Sequence, residues 1–99
     1  MIQHIMLWNY KDEVREDERA HIEGELVRLM GKVPALRGLE YGPVVGGRNQ
    51  NFEHCFVMKF DDMAGLAEYA EHPAHVAFAA IFREVCAVQV VTDFEVSDE

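Results

Sequence analysis

Apolar residues recur along this chain at two different periods, and each period predicts a kind of secondary structure. Ile22, Leu26 and Val33 repeat at helical spacing, which predicts an amphipathic helix over residues 15–32 that Pro34 ends. Apolar runs bounded by polar or glycine-bearing turns predict strands. The first half of the chain is predicted to contain a strand over 2–10, that helix, and strands over 37–45 and 52–60. A short helix capped by Asp61 or Asp62 follows and ends near residue 70. The rest is predicted to be a helix over 73–87, a strand over 88–96 and an acidic tail over 97–99.

The β-α-β-β-α-β order of these elements predicts an α+β fold of the ferredoxin-like type. Such a fold has a four-stranded antiparallel sheet with the helices on one face. The polar, glycine-bearing stretch 46–51 is typical of a hairpin loop between the second and third strands. Ninety-nine residues are enough for one hydrophobic core and too few for two, so residues 1–99 are expected to form a single domain.

The predicted strands are apolar on both faces, whereas a sheet with one wet face alternates apolar and polar residues. The first strand places Met6 and Trp8 on one face and Ile5 and Leu7 on the other. Helices on one side would leave the second apolar face exposed to water. A second copy of the chain is the simplest cover for it, so we expect a homodimer that encloses a barrel-like core between two sheets.

The charge, apolar content and cysteine spacing of the chain exclude several classes of binding partner. The formal net charge is −9, from 18 acidic and 9 basic residues. This balance argues against nucleic acid and against anionic membrane surfaces, because both need clustered Lys and Arg. No stretch reaches the roughly 18 apolar residues of a membrane span, so we expect no membrane partner and a cytoplasmic protein. Cys55 and Cys86 lie in apolar segments outside any CxxC motif, which predicts buried thiols.

The break between the last two predicted helices carries the most candidate chemistry, because a tyrosine and two histidines flank it. Pro73 suits the first position of a helix, which places His72 at or near the N-cap and His75 in the first turn. Phe78 and Phe82 follow His75 at helical spacing, so we expect His75 to point toward the interior. The positive end of the helix dipole favours a neutral imidazole there, which can accept a proton near pH 7.

Two further histidines, His4 and His54, share strand parity with Trp8 and Phe56. If that face of the sheet meets the helices, both imidazoles enter the interior space that His75 faces. A lone core histidine is usually structural, but three inward imidazoles around one space favour a binding site, because buried polar groups need partners. No pair of these residues has the i, i+4 spacing of ligands on one helix, so no metal is expected.

The sequence resembles the stress-responsive A/B barrel family, Dabb, over about residues 2–96. The resemblance depends most on His72-Pro73-Ala74-His75, and more weakly on His4-Ile5-Met6-Leu7, Val33-Pro34-Ala35-Leu36 and Asp93-Phe94-Glu95. It implies a dimeric α+β barrel. Many members of this family have no assigned activity and are known through stress-linked expression.

The same family includes a branch of plant polyketide cyclases, which close a linear chain by an intramolecular aldol condensation. The resemblance implies that their acid–base pair corresponds here to Tyr69 and His75. Further histidines of that branch correspond to His4 and His54. Pocket-lining aromatics of the branch fall at Glu23 and Leu26, so the resemblance implies a different pocket wall and a different substrate.

Two alternatives follow for function. The first is a cofactor-free acid–base enzyme, a cyclase, isomerase or lyase, that acts on a small carbonyl or phenolic compound with His75 as base and Tyr69 as its partner. The second is a non-catalytic stress-response dimer whose pocket holds a small molecule or is filled by its own side chains. In the first alternative, the residues expected to contact substrate are His4, His54, Trp8, Leu26, Phe78 and Phe82.

Overall fold

The computed structural model describes residues 1–48 and 50–97, over which the chain forms four strands and three helices. Asn49 of the predicted hairpin loop and Asp98 and Glu99 of the predicted tail lie outside the described residues. The predicted order of elements is confirmed, although β4 begins two residues earlier than predicted. The elements are β1 (Ile2–Tyr10), α1 (Glu16–Lys32), β2 (Gly38–Pro43), β3 (His54–Phe60), α2 (Met63–Glu71), α3 (Pro73–Val85) and β4 (Cys86–Glu95).

The four strands form one antiparallel sheet in the order β2-β3-β1-β4, which is the predicted ferredoxin-like arrangement. β1 is central and pairs with β3 on one side and β4 on the other. The register sets His4 opposite Met58 of β3 and opposite Asp93 of β4. It also sets His54 opposite Trp8, near the other end of β1.

The hydrophobic core lies between one face of this sheet and the helices. Trp8, Met58 and Phe60 on the strands are at most 1% exposed, and they share the core with Leu26 and Leu29 of α1. Alternate residues of a strand point to the same face, so the buried positions identify the helix-facing side. Among the described residues, no helix is long and apolar enough to cross a bilayer.

The boundary between α2 and α3 is set by local side chains. The carboxylate of Asp62 caps α2 by accepting a hydrogen bond of 2.8 Å from the backbone N–H of Gly65. His72 then caps α3, because its Nδ1 accepts from the backbone N–H of Ala74 at 3.0 Å, and Pro73 is the first residue of that helix. The His72 ring is therefore held at the helix junction, as predicted.

The opposite face of the sheet, which we call the outer face, is apolar at its centre and is covered by none of the three helices described above. Val88, Val90 and Phe94 of β4 are each 48–49% exposed there. The register sets Val90 beside Leu7, and Leu7 beside Cys55 on the far side of β1. A continuous apolar row thus crosses three strands, and an uncovered row of this kind is typical of an interaction surface.

Candidate active site

A cavity of about 230 Å³ opens between the sheet and helices α2 and α3, and we call it the His75 cavity. Its polar lining includes side chains from three elements, namely His4 of β1, Tyr69 of α2 and His75 of α3. The helix break described above brings Tyr69 and His75 together. Because alternate residues of β1 point to the same face, His4 faces the same space from the sheet. Much of the remaining lining is apolar and includes Met6, Phe56, Phe78 and Phe82.

The imidazole of His75 is anchored through one nitrogen. Its Nδ1 lies 3.0 Å from the carbonyl oxygen of Ala70, in the last turn of α2. A carbonyl oxygen can only accept, so Nδ1 carries the hydrogen of this bond. In the neutral ring, Nε2 is then the nitrogen with a lone pair available to a bound molecule.

The phenol of Tyr69 stands beside that ring. Their ring centroids are 4.3 Å apart. The Tyr69 hydroxyl makes no hydrogen bond with any residue that the structure describes, and it is not sealed in the core either. Burial raises the pKa of Tyr69, so the phenol stays protonated at neutral pH. Tyr69 therefore offers the cavity a free hydrogen-bond donor.

A second imidazole, that of His4, also lies near Tyr69, with ring centroids 6.1 Å apart. Its Nδ1 is 2.5 Å from Oδ1 of Asp93, on the neighbouring strand. The carboxylate accepts from Nδ1, which fixes the orientation of the ring and leaves Nε2 as its free nitrogen. Sequence reasoning assigned Asp93 no role; the pairing of the first and last strands is the signal that could have found it.

His54 is not brought to this cavity. Antiparallel pairing reverses the direction of β3, so His54 meets Trp8 rather than His4. Four residues of β1 separate those two positions, which is about 13 Å along a strand. The His54 ring stacks on Trp8 at 5.4 Å and lines a separate cavity of about 300 Å³ that Glu23 also lines.

The other residues expected to contact substrate divide into two groups. Phe78 and Phe82 line the His75 cavity, with their rings stacked at 5.7 Å. Leu26 is 2% exposed and belongs to the core beneath α1. Trp8 is 1% exposed and packs against Phe56 and Phe82, so it supports the cavity wall from behind.

Arg83, Cys86 and Gln89 also line the His75 cavity, and sequence reasoning assigned none of the three to the site. They lie where α3 ends and β4 begins, and composition alone gives no signal for them. Cys55 and Cys86, predicted to be buried thiols, are both only partly buried. Burial raises the pKa of the Cys86 thiol, so it is a poor nucleophile at neutral pH. Within residues 1–48 and 50–97, no three His, Cys, Asp or Glu side chains are arranged to hold a metal ion.

Comparison with known proteins identifies the family. The sequence matches the model of the stress responsive A/B barrel domain, Dabb, over residues 2–96. The chain belongs to the Dabb family. Olivetolic acid cyclase of Cannabis sativa is 24% identical to this Dabb domain over 95 residues, which cover 94% of each chain.

Solved structures agree with the Dabb fold. Hydroxynitrile lyase from Passiflora edulis has a TM-score of 0.92 at 20% identity and covers 99% of this chain and 94% of its own. A dimeric ferredoxin-like protein from Thermobifida fusca has a TM-score of 0.83 at 28% identity, with coverage of 96% and 90%. In this Dabb domain the two histidines of segment 72–75 have different roles. His72 caps a helix, whereas His75 faces the cavity.

Proposed function

We propose that this Dabb protein is a cofactor-free acid–base enzyme that acts on a small carbonyl-bearing or phenolic compound. One observation carries the proposal: His75, with Nδ1 already bound to a carbonyl, shares an open cavity with an unpaired Tyr69 hydroxyl. In this proposal Nε2 of His75 removes a proton from a carbon next to a carbonyl. The Tyr69 phenol donates to the carbonyl oxygen as negative charge develops on it.

Removal of a proton from carbon is the first step that aldol cyclisation, isomerisation through an enol and elimination by a lyase have in common. The resulting enolate can attack a second carbonyl, take back its proton at another position or expel a leaving group. His4, whose Nδ1 donates to Asp93, can accept a hydrogen bond at Nε2 from a hydroxyl group of the substrate. The apolar wall around Phe78 and Phe82 holds a flexible molecule in a reactive shape and excludes water, which strengthens these polar interactions.

The comparisons support a reaction of this class. One relative is named as a cyclase and a structural neighbour as a lyase. The identities are only 24% and 20%, so we infer the substrate class of this chain from the residues of its own cavity and not from those names. The largely apolar lining also fits a protein that binds a small molecule without converting it, and the experiment below separates the two functions.

The test uses proton exchange at carbon, which is the first step of the reaction proposed here. The protein is incubated in D₂O with a panel of cyclic ketones and 1,3-diketones, and loss of the acidic C–H signal is followed by proton NMR. We expect at least one compound to exchange faster with protein than in buffer, at a rate that saturates with concentration. Binding without faster exchange for any compound would support the non-catalytic alternative instead.

We also propose that two copies of the chain associate through the outer face. The support is the exposed apolar row on β4 and the description of a related ferredoxin-like protein as dimeric. A second copy would bury Val88, Val90 and Phe94, which are otherwise about half exposed. Sheet-on-sheet packing of this kind leaves the helices, and the His75 cavity beneath them, on the outside of the pair.

A single charge on the outer face is expected to prevent this association. Val90→Asp would place a carboxylate in the middle of the proposed interface, where it has no partner and loses its water. Light scattering after gel filtration should give a dimer for the natural protein and a monomer for this variant. Val27→Asp is the control, because Val27 is 45% exposed on α1, away from the outer face. A natural protein that is monomeric at micromolar concentration would contradict the dimer.

A further inference from the structure

The His75 cavity differs in charge from the rest of the molecule. The chain carries 18 acidic residues and a net charge of −9. Among the described residues that line the cavity, none is Asp or Glu, whereas two imidazoles and one guanidinium are present. Asp93 is close by, but it is bound to the Nδ1 of His4 and is not part of the lining. The described lining therefore holds one fixed positive charge, that of the guanidinium, and no carboxylate, in a protein that is acidic overall.

The guanidinium belongs to Arg83, in the last turn of α3. The Arg83 side chain makes no ion pair or hydrogen bond with any described residue. In contrast, Arg28 is paired with Glu25 and Arg37 with Asp61. A guanidinium has five N–H donors in a fixed plane, so Arg83 presents an unused set of donors at the edge of the cavity.

A second polar side chain, Gln89, lines the cavity from the sheet. Gln89 lies opposite Trp8 in the register of β1 and β4, which places it on the helix-facing side of the sheet. Its amide supplies two more donors. Because α3 leads directly into β4, Arg83 and Gln89 come from two elements that meet at one end of the cavity.

We propose that the substrate carries a carboxylate, which Arg83 and Gln89 hold while the reacting carbon lies at His75 and Tyr69. The position of the reacting carbon rests on the function proposed above, whereas the carboxylate preference rests on the charge of the cavity alone. Arg binds carboxylates through two parallel hydrogen bonds, a geometry that also orients the ligand. The net charge of −9 repels anions from a distance, so a local cation is needed to retain one.

The test compares two ligands that differ in one group, 4-hydroxybenzoate and its neutral isostere 4-hydroxybenzamide. Dissociation constants are measured by NMR titration of the isotope-labelled protein, with the backbone signals of Tyr69 and His75 as reporters of the cavity. We expect the carboxylate to bind about tenfold more tightly than the amide, as a charge-assisted pair predicts. Arg83→Gln should reduce this ratio to near one and leave the affinity for the amide unchanged.

Lys32→Gln is the control, because it removes the same charge from an exposed position at the end of α1, and it should keep the ratio of the natural protein. Equal affinities in the natural protein, or a ratio that survives Arg83→Gln, would overturn the carboxylate preference. Failure of both ligands to reach the cavity would overturn it as well. The exchange assay on neutral ketones decides on catalysis independently of these outcomes.

Discussion

Replacing His75 with glutamine is expected to lower the rate of carbon–proton exchange by about 10²–10⁴-fold, the usual contribution of a general base. Glutamine keeps a polar group that can donate to the Ala70 carbonyl, but it cannot accept a proton from carbon. The folded structure should survive, because His75 is only partly buried. The measurement is the NMR exchange assay on the most reactive ketone or diketone of the panel.

Two companion variants sharpen this prediction. Tyr69→Phe keeps the ring that packs on His75 and removes only the hydroxyl, so we expect a loss of about 10²-fold from the missing donor. His21→Gln removes an exposed imidazole on α1 and should leave the rate unchanged. An exchange rate in the His75 variant equal to that of the natural protein would exclude His75 as the base.

Replacing Trp8 with alanine is expected to lower the free energy of unfolding by about 3–5 kcal/mol, the range for deleting a large aromatic side chain from a core. Trp8 is 1% exposed, and its ring lies 5.8 Å from Phe56 and 5.6 Å from Phe82. Deleting the indole would remove its contacts with β3 and α3 and leave an unfilled volume between them. Urea denaturation followed by circular dichroism gives the free energy directly.

Trp8→Phe is the matched variant. The indole N–H of Trp8 has no hydrogen-bond partner among the described residues, so phenylalanine forfeits no hydrogen bond and keeps most of the packing. We expect a clearly smaller loss of stability for Trp8→Phe than for Trp8→Ala. A loss of only about 0.5 kcal/mol for the alanine variant, as at an exposed position, would contradict a core role for Trp8.

The helix break was readable from the sequence because its determinants are local. Pro73 fixes the first turn of α3, and His72 caps it through a bond within three residues. The spacing from His75 to Phe82 then sets which face of the helix meets the cavity. β4 begins earlier than predicted because Cys86 pairs with Tyr10 at a β-bulge, and sequence periodicity carries no information on such pairing.

The composition of the site depends on strand register, which sequence does not fix well. Parity correctly directs both His4 and His54 to the helix-facing side, but antiparallel pairing separates them along β1. The same pairing brings Asp93 to His4 from nearly the other end of the chain. Arg83 could not be recognised from the sequence, because an exposed arginine in the last turn of a helix is common. Only its position beside the cavity indicates a role in binding.

The central claim is that His75 presents an unprotonated Nε2 to molecules that enter the cavity. Long-range proton–nitrogen NMR spectra of the imidazole at pH 8, where an ordinary histidine is neutral, report directly which ring nitrogen carries the hydrogen. We predict the Nδ1–H form for His75, held by the Ala70 carbonyl, and a change in the Nε2 signal when a ligand enters the cavity. The Nε2–H form, or an Nε2 signal that no ligand in the cavity alters, would contradict the account.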